Sequence, residues 1–207
     1  MIKEAPVVTE EHVKQAVAFH GHMCPGLAMG IRAAEVALRE IGPHAQDEEV
    51  VAVVETDMCA VDAIQYLTGC TFGKGNLIHL DYGKNAYSFY RRSDGKAIRI
   101  VSRPDAIGPL SDEHKQLWAK LREKNMTDAD KQRFWQLQNE RAKLILEAPL
   151  EKLYDFKQPI GDTPRHARIH NSLDCAGCGE KVMETRARTF DGNTYCLPCF
   201  QKLDRRN

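Results

Sequence analysis

Apolar and polar positions change their rhythm several times along this chain, and each change marks an element. Thr9 can cap a first helix, with Glu10 and Glu11 in the first turn, where acids oppose the positive end of the helix dipole. That helix is expected to run to about Phe19. A punctuated stretch follows, His20-Gly21-His22-Met23-Cys24-Pro25-Gly26. Pro25 suits the first turn of a second helix that ends near Gly42-Pro43. The residues from Val50 to Thr56 are mostly apolar and β-branched, which predicts a buried strand. A short helix from about Met58 to Leu67, ended by Gly69, comes next. Gly73, Gly75 and Asn76 mark a turn into a strand at Leu77 to Leu80. Ala86–Tyr90 and Ile98–Val101 flank Ser93-Asp94-Gly95, a hairpin signal.

The rhythm changes again at Ser111. Up to Glu147 the chain is rich in Lys, Glu, Gln, Leu and Ala. Leu117 and Leu121 are one helical turn apart, and Phe134, Leu137 and Leu144 share a face. Thr127 with Asp130 reads as a capping box, so two helices are expected, Ser111–Lys124 and Thr127–Glu147. Their Trp and Leu residues are expected to pack in a core or a dimer contact. Residues 148–164 hold three prolines and read as a connector. The expected fold is α+β, with helices packed on a small, mostly antiparallel sheet, followed by a helical hairpin and a zinc ribbon. The expected division is 1–110, 111–163 and 164–207.

Composition narrows the function classes. The 207 residues are 43% hydrophobic and 28% charged, ordinary for a globular protein. The 29 basic and 29 acidic residues cancel, which argues against a chain that coats nucleic acid or an anionic membrane. The longest apolar run, Val50 to Val54, falls far short of the ~20 residues of a membrane helix. The N-terminus has acids and no apolar signal core, so a cytoplasmic protein is expected. Seven cysteines then call for metal binding or reactivity, because cytosolic thiols rarely form lasting disulfides.

Four of them, Cys175, Cys178, Cys196 and Cys199, form two Cys-x-x-Cys knuckles. Each knuckle can present two sulfurs to one ion, and two knuckles complete a tetrahedral zinc shell. Gly179 and Asp191-Gly192-Asn193 supply the turn residues. The segment has few apolar residues, so the metal is expected to supply folding energy. The matched pairs and the lack of a βαβ pattern around them argue against a thioredoxin-like site. From residue 163 onward there are eight Lys or Arg and five Asp or Glu. A Zn–S4 centre adds two negative charges, leaving about +1, which disfavours nucleic-acid binding.

The second constellation is His20, His22 and Cys24, three borderline or soft ligands in five residues. Gly21 allows a sharp bend between the histidines. Cys24 precedes Pro25 and is expected to cap the second helix, where amide donors stabilise a thiolate. Cys59 repeats the arrangement in the first turn of the next helix, with Glu55, Asp57 and Asp62 nearby in sequence. Cys70 reads as core more readily than as ligand. Gly69 to Gly75 fails as a phosphate loop, being too short and lacking Ser or Thr after Lys74.

These segments resemble one family. FHGHMCPGLAMG at 19–30, ETDMCAVDAIQYLTGCTFGKGNL at 55–77 and DYGKNAYSF at 81–89 are similar to the FmdE-like proteins, named for formylmethanofuran dehydrogenase. The C-terminal module resembles the C4-type DksA/TraR zinc finger. The resemblance implies a dimeric α+β domain with a metal-binding or thiol-bearing cavity. Its motifs fall on His20, His22 and Cys24, and on Cys59, Asp62, Gln65 and Cys70. The expected protein is a homodimeric metalloprotein with a structural zinc and a second transition metal, or a reactive thiolate, at His20, His22, Cys24 and Cys59. Asp62 is expected to orient a ligand. The expected task is that of an accessory component or small metalloenzyme in redox or one-carbon chemistry, within a larger oxidoreductase complex or alone. The alternative is a non-catalytic adaptor that docks a protein partner through the ribbon and the helical hairpin, with the N-terminal site as a second structural metal.

Overall fold

The computed structural model describes residues 7–159 and 161–203. The chain divides into two compact units, Met1–His166 and Ala167–Asn207.

In the first unit, α1 spans Glu10–His20. Thr9 caps it: its side chain accepts from the His12 amide, and the His12 ring accepts from the Thr9 amide. Gly21, in the left-handed region at φ 97, ends the helix. Helix α2 spans Pro25–Glu40 and buries most of one side. Strand β1, Val50–Val54, is buried throughout, as its unbroken apolar run predicts. Burying each valine contributes about 1.5–3 kcal/mol before entropy is charged against it. Helix α3 spans Ala60–Thr68, and β2 spans Leu77–His79. Strands β3, Ala86–Arg91, and β4, Ala97–Ser102, form the expected hairpin.

The sheet has five strands, in the order β2-β1-β3-β4-β5. Only β1 and β2 pair in parallel. The fifth strand, β5 at Tyr154–Lys157, corrects the reading of 148–164 as a connector. Its prolines, Pro149, Pro159 and Pro164, lie outside the four paired residues, so they bound the strand without breaking its ladder. A one-turn helix, α6 at Leu150–Leu153, leads into it. Tyr154 is fully buried, and its hydroxyl donates to the Met29 carbonyl of α2.

The predicted helical pair is present as α4, Asp112–Arg122, and α5, Asp128–Glu147. Ser111 caps α4, and the Thr127–Asp130 capping box opens α5. Their packing departs from the predicted stripe. Leu117, Phe134 and Leu137 are buried, but Leu121 and Leu144 are exposed. Ala142 and Ile145 join the core instead, where α5 lies against α2. The long helix α5 packs on two surfaces, so a single apolar stripe does not describe it.

The second unit holds two small hairpins and a helix. Strand β6, Ser172–Asp174, pairs with β7, Lys181–Met183; β8, Ala187–Phe190, pairs with β9, Asn193–Cys196. A 3-10 turn, Glu184–Arg186, joins the hairpins, and α7 spans Leu197–Leu203. Among the described residues of this unit, Cys175 alone is buried. No helix among the described residues is long and apolar enough to cross a membrane.

Candidate metal centre and thiol cavity

The first centre grows from the ends of three helices. His20 is the last residue of α1, and the left-handed Gly21 turns the chain so that His22 comes back beside it. The two imidazole rings lie 4.7 Å apart. Cys24 is the N-cap of α2, and its sulfur accepts from the Leu27 amide at 3.3 Å. One ligand atom each from His20, His22 and Cys24 falls within a 4.8 Å group, a spread that one ion can bridge.

His20 carries the most telling chemistry. Its Nδ1 meets the Asp62 carboxylate at 2.6 Å. Its Nε2 is buried and has no hydrogen-bond partner. Buried polar atoms are nearly always satisfied, and this orphan nitrogen belongs to a residue of the His20–His22–Cys24 group, which gives it candidate ligands as neighbours. A carboxylate on one imidazole nitrogen and a free second nitrogen is the arrangement of a metal-binding histidine, the carboxylate fixing the tautomer and raising basicity. The donor set, two imidazoles and a thiol, fits a borderline transition ion.

Cys59 sits beside Cys24 but outside the 4.8 Å group. A Cβ built on Gly26 would lie 3.7 Å from the Cys59 sulfur and 3.8 Å from the Cys24 sulfur, so the glycine keeps open the space both thiols face. Cys59 is the N-cap of α3 with helical backbone angles, and its thiol makes no capping bond. Burial and the adjacent Cys24 push its thiol above the ordinary range. The expected stabilisation of a Cys59 thiolate by the helix terminus is therefore corrected: burial and Cys24 outweigh the contact of the sulfur with its own backbone amide.

Helices α2 and α3 can approach this closely because of a second glycine. A Cβ on Gly30 would fall 2.2 Å from the Ala60 carbonyl oxygen, an impossible overlap with backbone. Gly26 and Gly30 are one turn apart on the same face of α2, so the two side-chain-free positions seat the start of α3 and bring Cys59 to Cys24.

The remaining motif residues serve structure. Cys70 is fully buried, donates weakly to the Val50 carbonyl, and is pushed up to about 11 by burial. Gln65 accepts from the Phe72 amide and so braces the loop after α3. Glu55 turns away from Cys59 and forms a two-bond pair with Arg99 at 2.8 and 3.0 Å. Asn76, fully buried, holds the same loop through the carbonyls of Asp47 and Val50.

Cys24, Cys59 and His22 face a cavity of about 780 Å³ whose walls include Trp118, Phe134 and Trp135. The Trp135 ring lies 5.1 Å from that of His22, edge to face. Sequence pattern alone assigns these aromatics to core or dimer packing; the structure puts them over the thiols. Two tryptophans on otherwise strongly polar helices were the available signal.

The second centre is the four-cysteine cluster. All four sulfurs lie within 4.8 Å of one another, and Cys178 and Cys196 are 3.9 Å apart. A tetrahedron with Zn–S bonds of about 2.3 Å has edges of about 3.8 Å. The Cys196 amide donates to the Cys175 sulfur at 3.2 Å and, with neighbouring knuckle amides, holds that thiol down at about 6. Gly179 at φ 74 closes the first knuckle; Asp191 and Gly192, both at positive φ, close the β8–β9 turn. A Cβ on Gly177 would be 3.0 Å from the Cys199 sulfur, so the knuckle needs glycine there.

An α+β domain with a His–His–Cys group at its helix ends, together with a four-cysteine ribbon able to coordinate a metal, defines the class of the protein. The family model described as "FmdE, Molybdenum formylmethanofuran dehydrogenase operon" matches residues 19–155, and the chain belongs to that family. The prokaryotic DksA/TraR C4-type zinc finger model matches residues 169–205. A crystal structure of an FmdE-like protein of tungsten formylmethanofuran dehydrogenase type, from Syntrophus aciditrophicus, superposes with a TM-score of 0.64 at 25% identity, covering 99% of this chain and 100% of that one. A curated relative, "Probable S-adenosyl-L-methionine-binding protein" of Archaeoglobus fulgidus, is 35% identical over 201 residues, 89% of this chain and 51% of the relative. The chain thus spans about half the length of that relative. Family, fold and cysteine cluster make the chain a metal-binding FmdE-like accessory protein.

Proposed function

We propose that the ribbon holds a structural zinc and that a second, functional transition metal binds at His20, His22 and Cys24, with Cys59 as the adjacent thiol. The single observation that carries this is the buried, partnerless Nε2 of His20, backed by Asp62 on its other nitrogen. A metal bound there would act as a Lewis acid or redox centre facing the aromatic cavity. His20 and His22 supply nitrogen, Cys24 supplies sulfur, and Asp62 orients His20. The role is accessory chemistry of redox or one-carbon type, in a cytoplasmic homodimer or within a larger oxidoreductase assembly. Family membership supports that setting, but it assigns no dehydrogenase activity to this chain.

The adaptor reading draws on exposed apolar side chains of the ribbon, among them Met183 and Phe190, which a protein partner could cover. Binding of S-adenosylmethionine, suggested by the relative's name, gains no support from the cavity at Cys59, whose lining has no carboxylate to meet a sulfonium.

Metal content per chain tests the proposal. Wild type is expected to hold two metals, and a Cys24→Ala/Cys59→Ala variant one. Asp62→Asn is expected to keep the site but weaken it about tenfold or more against a competing chelator. A single metal in wild type, unchanged in the double variant, would remove the second centre and favour the adaptor.

A further inference from the structure

The thiol of Cys59 stands between two cavities. The larger is the aromatic one over the thiols. The smaller, about 520 Å³, is lined by polar and basic groups that include Lys84, Ser102, Arg103 and Arg141. The two share Pro25, Gly26, Met58 and Cys59, so they meet along the N-terminal turn of α2. Neither lining contains an Asp or Glu.

We propose that the two cavities form one cleft for an amphiphilic anion. Its planar apolar group sits among Trp118, Phe134 and Trp135, and its carboxylate or phosphate end lies by Lys84 and Ser102. The middle of the molecule then passes over Cys24 and Cys59. This rests on the reading of that thiol site as the functional centre, and names the class of ligand it receives.

The aromatic end follows from ring geometry. Trp118 and Trp135 each stand edge to face against Phe134, at 5.1 and 5.6 Å, and all three rings line the cavity. Trp135 is 45% exposed, an expensive state for so large a ring and one that a stacked guest relieves. The aromatic cavity also carries Lys124 and Lys131, the latter paired with Asp128, but the smaller cavity gathers the basic groups beside a buried hydroxyl, and the anionic end follows from which of these remain uncommitted. Arg103 is paired with Asp155, and Arg141 donates to the Gly108 and Pro109 carbonyls. The Ser102 hydroxyl is buried with no partner. The Lys84 ammonium lies over the Tyr82 ring, and no carboxylate partner for it is found among the described residues. A carboxylate entering here gains a hydroxyl donor and an ammonium in surroundings that offer no competing acid.

Trp118 and Trp135 are the chain's two tryptophans, and both line the cleft, so intrinsic fluorescence reports its occupancy. Pyrene absorbs where tryptophan emits. The probes are pyrenebutyrate, neutral pyrenebutanol and cationic pyrenebutylamine, read by sensitised pyrene emission. Saturable transfer is expected, with the butyrate about tenfold tighter than the alcohol, the size of one charge-assisted contact. Lys84→Glu should abolish that preference while the alcohol binds as before. The proposal is overturned by no saturable transfer, by the amine binding as well as the butyrate, or by a preference that survives Lys84→Glu. Absent transfer together with a sedimentation dimer that shields the tryptophans from a soluble quencher would assign the cleft to a second copy of the chain. Metal content of the same samples separates this from the metal reading. Probe binding without a second metal sinks only that reading, and a second metal without probe binding sinks only this proposal.

Discussion

One half-buried and one buried histidine show how the same residue type meets different surroundings. His20 has a carboxylate on one nitrogen and no partner on the other, in a group of three possible metal ligands. His114 is 1% exposed, lies edge to face against Phe134 at 5.7 Å, and its Nε2 also lacks a partner. Among the described residues no metal-ligand group includes His114, which packs inside the α4–α5 pair. Burial first, and then Arg141, depress its affinity for a proton below the ordinary 6.5; Glu113 and Glu140 oppose that. The sign follows from linkage. Below 6.5 the unfolded chain takes up a proton that the folded chain refuses, so unfolding is favoured as the pH falls. Chemical denaturation should show wild type losing more stability than His114→Gln between about pH 7.5 and about pH 5.5. Equal losses would mean that His114 protonates freely in the native state. Sequence could find His20, because two other ligand types lay within five residues of it. It assigned Asp62 an orienting role but could not say which ligand Asp62 meets, since 42 positions separate it from His20 and the α1–α3 packing joins them.

At the scale of elements, the decisive feature is two missing side chains. Gly26 and Gly30 allow α3 to start against α2, and the contact sets Cys59 beside Cys24. Gly30→Ala must push the helices apart, because the clash is with backbone. A destabilisation of about 3 kcal/mol is expected, at the high end for overpacking, read from urea unfolding midpoints. Tolerance of the alanine with an unchanged midpoint would show that α2 and α3 can slide. The helices, the buried strand and the β3–β4 hairpin were legible because each follows from local pattern: a cap, an apolar run, a turn. Strand β5 was not, because four residues between prolines carry too little periodicity, and only pairing with β4 makes them a strand. Trp118 packs against the Leu117–Phe134–Leu137 cluster, as expected, but the cavity that it and Trp135 line was not legible. Periodicity says which face of a helix is apolar, and the tertiary fold says whether that face meets a core or a cavity. The four-cysteine cluster was fully legible, since its ligand spacing is itself local.

At the scale of the molecule, the two units rest on different physics. The first has a continuous apolar core running from α2 through the sheet to Tyr154. The second buries one described residue, a cysteine, and so has almost no hydrophobic term of its own. A strong chelator should therefore unfold the second unit alone. Limited proteolysis would then cut within 167–203, while the helical circular dichroism of the first unit persists. Loss of both units together, or of neither, would show that the division is not one of stability.

The turn at Gly21 carries one more consequence. The donors of the first centre span five residues clamped between two capped helices, so their arrangement is set before any ion arrives. The ribbon must be rebuilt each time its ion leaves, whereas this loop keeps its shape. An ion held at the first centre can therefore be traded for another without a folding step. On the proposed function, the same chain would then combine an ion that holds a fold with a port whose contents follow the metals on offer.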